Sequence, residues 1–193
     1  MVADPEGRLV EALRAAFAGE SPTLGQALAA LGDRGFGALF LLLALPAALP
    51  LPAVGYAVPF GFGILCLGIE FAWGRREPWL PRRLLSLGLP RANPDARALA
   101  ILARLERWVG ERRPPIRGPY RLVTGSVLAL LGALMMIPIP GTNTLPGACA
   151  SVIGLGLLYR DGRLVLAGIT FGVGLLVAYG AAVTGVLRFL SSP

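Results

Sequence analysis

Lysine and histidine are absent from this chain of 193 residues, and all 18 of its basic residues are arginines. Without an imidazole or a primary amine there is no histidine general base, no histidine-ligated metal and no lysine Schiff base. Acids are also scarce: there are 11, and charged residues of both signs make up only 15% of the chain. So few acid–base groups in an apolar chain point away from an enzyme, and no residue pattern calls for a cofactor or a metal. Cysteine is almost missing as well. Cys66 and Cys149 stand alone in apolar runs and read as small hydrophobes rather than as a disulfide or a nucleophile.

What is present is mostly apolar. Hydrophobic residues make up 55% of the chain, and its mean hydropathy is +0.67. That composition belongs to an integral membrane protein. Residues 1–20 carry too much charge to form the core of a secretory signal. The net charge of +7 arises in one place. Residues 75–121 hold 12 arginines against Glu77, Asp95, Glu106 and Glu111, while the rest of the chain holds six arginines and seven acids. Such a run attracts nucleic acid or an anionic membrane surface. The apolar segments on both sides favour the membrane over nucleic acid, and a basic loop tends to stay cytoplasmic.

Two apolar segments, residues 49–75 and 137–163, are each broken by Pro-x-Pro. An offset of 88 places Gly37 on Gly125, Pro50 on Pro138 and Pro52 on Pro140 without a gap. The same offset places Gly68 on Gly156, Phe71 on Tyr159, Gly74 on Gly162 and Arg75 on Arg163. Proline inside an apolar run frees backbone groups that lipid cannot satisfy, so such breaks persist where protein or a water-filled cavity surrounds them. Paired breaks in two halves of a chain point to a binding site at the repeat interface.

The arms of each repeat are short. Residues 36–49 would span roughly 21 Å as a helix, and residues 59–73, with Pro59 opening the helix, roughly 22 Å. A hydrocarbon core of about 30 Å asks for about 20 residues. A helical hairpin that enters and leaves by one face fits better than two full crossings. Arg34, Arg75 and Arg76 flank the first repeat, and Arg121, Arg160 and Arg163 flank the second, so both ends of both repeats favour the cytoplasmic side. Parallel hairpins are the expectation; an odd number of crossings per repeat would invert them.

The expected fold is therefore an all-α integral membrane protein in five parts. Residues 1–33 form N-terminal amphipathic helices, with cap signals at Asp4-Pro5-Glu6 and Ser21-Pro22. Residues 34–75 are membrane repeat one. Residues 76–120 are an arginine-rich linker, whose interfacial helix carries Ala98, Ile101, Leu102, Leu105, Trp108 and Val109 on one face. Residues 121–163 are membrane repeat two. Residues 164–193 hold a C-terminal transmembrane helix, with Gly168, Gly172, Gly174, Gly180 and Gly185 available for close packing.

Candidate binding residues gather at the second break. Pro138, Pro140, Thr142, Asn143 and Thr144 place an amide and two hydroxyls at the start of a helix, where exposed N–H groups and the dipole suit an anion such as a phosphate. Asn143 and Thr144 serve equally well as plain caps of that helix. At the first break Pro50, Pro52 and Tyr56 take the matching place, with Tyr56 adding one hydroxyl. Glu70 is an acid within an apolar segment, either functional or paired with Arg34, Arg75 or Arg76 near the interface. Asp161 reads as a turn or ion-pair residue.

On these residues the chain resembles the ExoD family of exopolysaccharide synthesis proteins. The resemblance rests on Leu31-Gly32-Asp33-Arg34-Gly35-Phe36-Gly37, the Leu-Pro-Leu-Pro at 49–52, and Arg75-Arg76-Glu77-Pro78-Trp79-Leu80-Pro81. In the second half it rests on Pro138-Ile139-Pro140, Asn143-Thr144-Leu145-Pro146, Leu155-Gly156-Leu157 and Arg160-Asp161-Gly162. Ala53-Val54-Gly55-Tyr56 departs from the polar stretch usual in that family after the first break, which leaves repeat two to supply the polar groups. The resemblance implies a bacterial inner-membrane protein tied to surface polysaccharide, and it supplies no catalytic residues. Three functions are open: a transporter or handler of a polyprenyl-phosphate-type lipid carrier, an ion or small-solute transporter using Glu70, and a non-catalytic scaffold of a synthesis complex. Expected partners are membrane lipids, a polyprenyl phosphate among them, and a second copy or a polysaccharide synthesis complex.

Overall fold

A computed structural model describes residues 23–48, 57–88, 118–137 and 143–191. The described residues are helical, without a strand; a single isolated bridge joins Thr23 and Gly88. Helix α1 is Leu24–Leu31, followed by a 3₁₀ turn at Gly32–Arg34. Next come α2 (Gly35–Ala48), α3 (Ala57–Ala72) and the single turn α4 (Arg82–Leu85). Then follow α5 (Pro119–Met135), α6 (Thr144–Tyr159) and α7 (Gly162–Ser191). The first predicted amphipathic helix and the interfacial helix of the linker lie outside the described residues.

Local chemistry sets several of these boundaries. The cap of α1 is Thr23 rather than the expected Ser21-Pro22. Its Oγ1 accepts from the Gln26 N–H at 3.3 Å, while the Gln26 Oε1 accepts from the Thr23 N–H at 3.0 Å. Helix α3 opens at Ala57, so Pro59 sits third in the helix rather than first. It is still within the first turn, where an N–H has no intrahelical acceptor. Pro119 does open α5. Asp161 caps α7, its Oδ1 accepting from the Arg163 N–H at 2.8 Å.

Helices α2, α3, α5 and α6 have 14, 16, 17 and 16 residues. Their lengths are therefore about 21–26 Å. Only α7, with 30 residues, is long and apolar enough to cross a membrane among the described helices. The main packing is α2 along α6 and α3 along α5, with α7 lying on α6. Glycines bring each pair close. A Cβ on Gly125 would stand 2.5 Å from both the Ala72 nitrogen and the Gly68 oxygen, and one on Gly154 would stand 2.8 Å from the Leu41 nitrogen. Gly37 and Gly68 face backbone in the same way. This is the small-residue contact that lets helices approach where lipid gives no hydrophobic drive to associate.

Phe36 and Phe40 of α2 meet Phe71 of α3 at ring separations of 5.2 and 6.3 Å, at the end where α2 begins and α3 finishes. Outward faces stay apolar, with Leu42, Leu45, Phe62, Leu130 and Phe171 exposed. A monomer that exposes this much large apolar surface matches a lipid-facing exterior. Helix α7 is packed through Val165, Gly168, Ile169 and Gly172. From there the helix runs on with Val177, Val183, Leu187 and Phe189 exposed, and the space beside Gly174, Gly180 and Gly185 is open.

Candidate functional site

Helices α2, α5 and α7 begin, and α3 and α6 finish, at one end of the bundle. Gly37 lies against Leu158, Gly125 against Ala72, Gly156 against Val165, and Phe36 against Phe71. Charge collects there. Arg34 precedes α2, Arg75 and Arg76 follow α3, Arg121 stands in the first turn of α5, and Arg160 and Arg163 flank the α6–α7 junction. Trp73 and Trp79 are 80% and 63% exposed at the same end. Exposed tryptophan beside arginine is the composition of a membrane–water interface.

Arg121 ties the start of α5 to the end of α3. Its Nε donates to the Phe71 carbonyl at 3.1 Å, and its Nη2 donates to the Arg75 carbonyl. Its guanidinium lies 4.3 Å from the Phe71 ring centroid and 5.9 Å from that of Phe36. A planar cation thus caps the last carbonyls of α3, complements that helix dipole and stacks on aromatic faces. Sequence reading treated Arg121 only as a flanking charge; the signal it offered was a lone arginine opening an apolar run.

Glu70 sits at this end too. Its Oε2 accepts from the Trp79 N–H at 2.8 Å and so ties α3 to the loop that follows it. Arg34 is half-buried and Arg75 is exposed.

The opposite end holds the start of α6. Asn143 precedes the helix with its carbonyl accepting from the Gly147 N–H at 2.9 Å. Its side chain makes no capping bond, which sets aside the plain cap as its role. The residue is only 3% exposed, and its Oδ1 has no hydrogen-bond partner among the described residues. A buried amide oxygen without a donor costs about 1–3 kcal/mol. Thr144, the first helical residue, is half-buried, and Pro146 is fully buried. The second half of α2 lies alongside, with Ala44, Ala47 and Ala48 against Gly147. Two turns further along α6 the Ser151 hydroxyl is also buried without a partner among the described residues. Its one sequence signal was a serine within an apolar helix.

The structure thus separates the candidate residues into two places. Arg34, Glu70 and Arg75 lie at the arginine end, and Asn143 and Thr144 lie at the far end, about one helix length, or roughly 20 Å, away. Pro50, Pro52, Tyr56, Pro138, Pro140 and Thr142 lie outside the described residues. Cys66 and Cys149 are free thiols, both half-buried. No group of His, Cys, Asp or Glu able to hold a metal occurs among the described residues.

Comparison with known proteins bears on the whole length. The family model described as "Exopolysaccharide synthesis, ExoD" matches residues 7–181. Protein ExoD of Rhizobium meliloti is 31% identical over 183 residues, which cover 91% of this chain and 75% of that protein. A Synechocystis sp. protein described as uncharacterized is 37% identical over 160 residues, which cover 80% of this chain and 76% of its own length. No solved structure matches the chain.

Proposed function

This chain belongs to the ExoD exopolysaccharide-synthesis family, and from that premise we propose that it is an inner-membrane protein that handles the phosphate head of a polyprenyl-phosphate-type lipid carrier. The observation that carries the reading is Asn143. Its amide is buried at the N-terminus of a 16-residue apolar helix and is not spent on capping that helix. The N–H groups of Thr144 and Leu145 open that helix without intrahelical acceptors, and the helix dipole favours negative charge beside them.

The bundle suits a membrane site. Four helices of about 21–26 Å leave from and return to the arginine end, so with that end at the cytoplasmic headgroups their tips stop inside a core of about 30 Å. The two membrane repeats then form parallel re-entrant pairs. Exchange symmetry in the packing supports this. An offset of 88 carries Gly37 and Leu41 of α2 onto Gly125 and Ala129 of α5. An offset of 86 carries Gly68 and Ala72 of α3 onto Gly154 and Leu158 of α6. Under these offsets the contact of Gly125 with Gly68 and Ala72 becomes that of Gly37 with Gly154 and Leu158. The ungapped register of 88 therefore slips by two residues in the second arms, and each arm packs mainly on the other repeat rather than on its own hairpin mate. The ion-transport alternative rests on Glu70, whose contact with the Trp79 N–H supports a structural role instead.

Native mass spectrometry of the gently extracted protein tests the proposal. A retained polyprenyl phosphate, displaced by excess short-chain analogue and lost in Asn143→Ala or Thr144→Ala, is the expected result. A protein that keeps other lipids but carries no such adduct would sink it.

A further inference from the structure

The unpartnered group at the start of α6 is an acceptor, and that narrows the ligand beyond "anion". The Thr144 and Leu145 N–H groups are donors and suit negatively charged oxygens. The Asn143 Oδ1 is buried, lies at the same helix start and needs a donor. A fully ionised phosphate offers acceptors only, and so does a phosphodiester. A phosphate monoester that keeps one proton offers both: P–O⁻ for the backbone N–H groups and P–O–H for the amide oxygen.

We infer that this site takes a phosphate monoester in its singly protonated form, with Asn143 accepting the hydrogen bond from the P–OH. The inference rests on the phosphate-handling reading above and specifies its ligand. No bond is made or broken, and the phosphate arrives and leaves with its proton. The surroundings support the choice of charge state. Among the described residues, the halves of α2 and α5 nearest this end, residues 41–48 and 127–137, carry no charged or titratable side chain. Helix α6 brings only the Cys149 thiol close by, and α7 brings Tyr179 and, beyond it, Arg188. Among the described residues no carboxylate or arginine at this end of the four short helices stands ready to neutralise a second charge, and doubly charged phosphate is the more costly to bring into an apolar setting.

The test measures binding of two probes to the full chain in lipid nanodiscs, each at pH 5 and pH 8. Farnesyl phosphate is a monoester whose second ionisation falls near pH 6, so it holds its proton at the lower pH and loses it at the higher. Farnesyl methyl phosphate carries one charge at both pH values and has no P–OH. Farnesyl phosphate is expected to bind roughly tenfold or more tightly at pH 5 than at pH 8, the loss of a donor to a buried acceptor being worth about that factor. The diester is expected to bind weakly and without pH dependence, and Asn143→Ala to flatten the pH dependence for the monoester. Inorganic phosphate keeps a P–OH at both pH values, so its competition at pH 5 and pH 8 alike would support the need for a P–OH donor and assign the site to the free ion rather than to a lipid. Equal binding of both esters, or a flat profile for the monoester in the unaltered protein, overturns this inference and leaves the phosphate-handling reading standing. Absence of binding by either ester at both pH values overturns both.

Discussion

Arg121 joins the two halves of the bundle through one side chain. It stands on α5, yet its bonds go to the carbonyls of Phe71 and Arg75 and its face to the Phe71 ring. Lysine at this place would keep the charge and lose the fork and the planar stack. Arg121→Lys should therefore cost about 1–2 kcal/mol of stability, given the usual worth of charge-assisted and cation–π contacts. Denaturant titration of the purified protein in mixed micelles would show it. An unchanged midpoint would mean that the cap contributes nothing. Glu70 gives a contrasting case, because its observed role needs only an acceptor for the Trp79 N–H. Glu70→Gln retains a side-chain carbonyl and should leave stability within about 0.5 kcal/mol, the range of an uncritical surface change. Any pH-dependent transport lost in that variant would revive the ion-transport reading. Composition marked these residues as charges at the ends of apolar runs, but partners depend on which helix ends meet, and sequence spacing does not carry that. Asn143 was legible for another reason. An amide beside a proline-rich break in an apolar run reads as a ligand group or as a plain cap, and the missing cap bond became visible only in the structure.

Helix pairing was the less legible part of the fold. Length, apolar content and Pro-x-Pro breaks were enough to indicate short apolar helices and an all-α fold. Which arm packs on which was hidden, because α2 and α6 are apolar on every side and have no stripe to aim. Neighbours along the chain are the simplest pair to bring together. The glycines instead seat α2 on α6 and α3 on α5. Glycine at these positions is required by approach distance. In Gly125→Ala the new methyl would lie 2.5 Å from backbone atoms of Gly68 and Ala72, which cannot rotate away. The helix pair must part, at a cost of about 1–3 kcal/mol as in other overpacked interiors. Gly180→Ala is the matched control, since nothing lies within 4 Å of its position. That change should be neutral or stabilise by up to about 1 kcal/mol through helix propensity. Equal effects of the two substitutions on the unfolding midpoint would show that the α3–α5 contact is not as close as described.

At the scale of the molecule the decisive quantity is a difference in length. The four short helices reach about 21–26 Å from the arginine end, whereas α7 starts at that same end and continues for about 45 Å. In the proposed arrangement, exposed Trp73 and Trp79 and the arginines set that end at headgroup level. Helix α7 is the one described element long enough to outrun a hydrocarbon core of about 30 Å, and on this proposal Arg188 and Ser191 are expected at the opposite face. The exposed apolar surface of its second half follows from that geometry: beyond the tips of α2, α3, α5 and α6 no described helix is long enough to cover it. Labelling with a membrane-impermeant maleimide checks this directly. In a background where Cys66 and Cys149 are replaced by alanine, Ser191→Cys should react in intact spheroplasts. Arg76→Cys should react only after the membrane is opened. Reaction of both sites from one side would mean that α7 lies along the membrane or turns back within it. The tip of α6, with Asn143, would then lose its position near the far leaflet, and a phosphate site there would have to be reached from the arginine side.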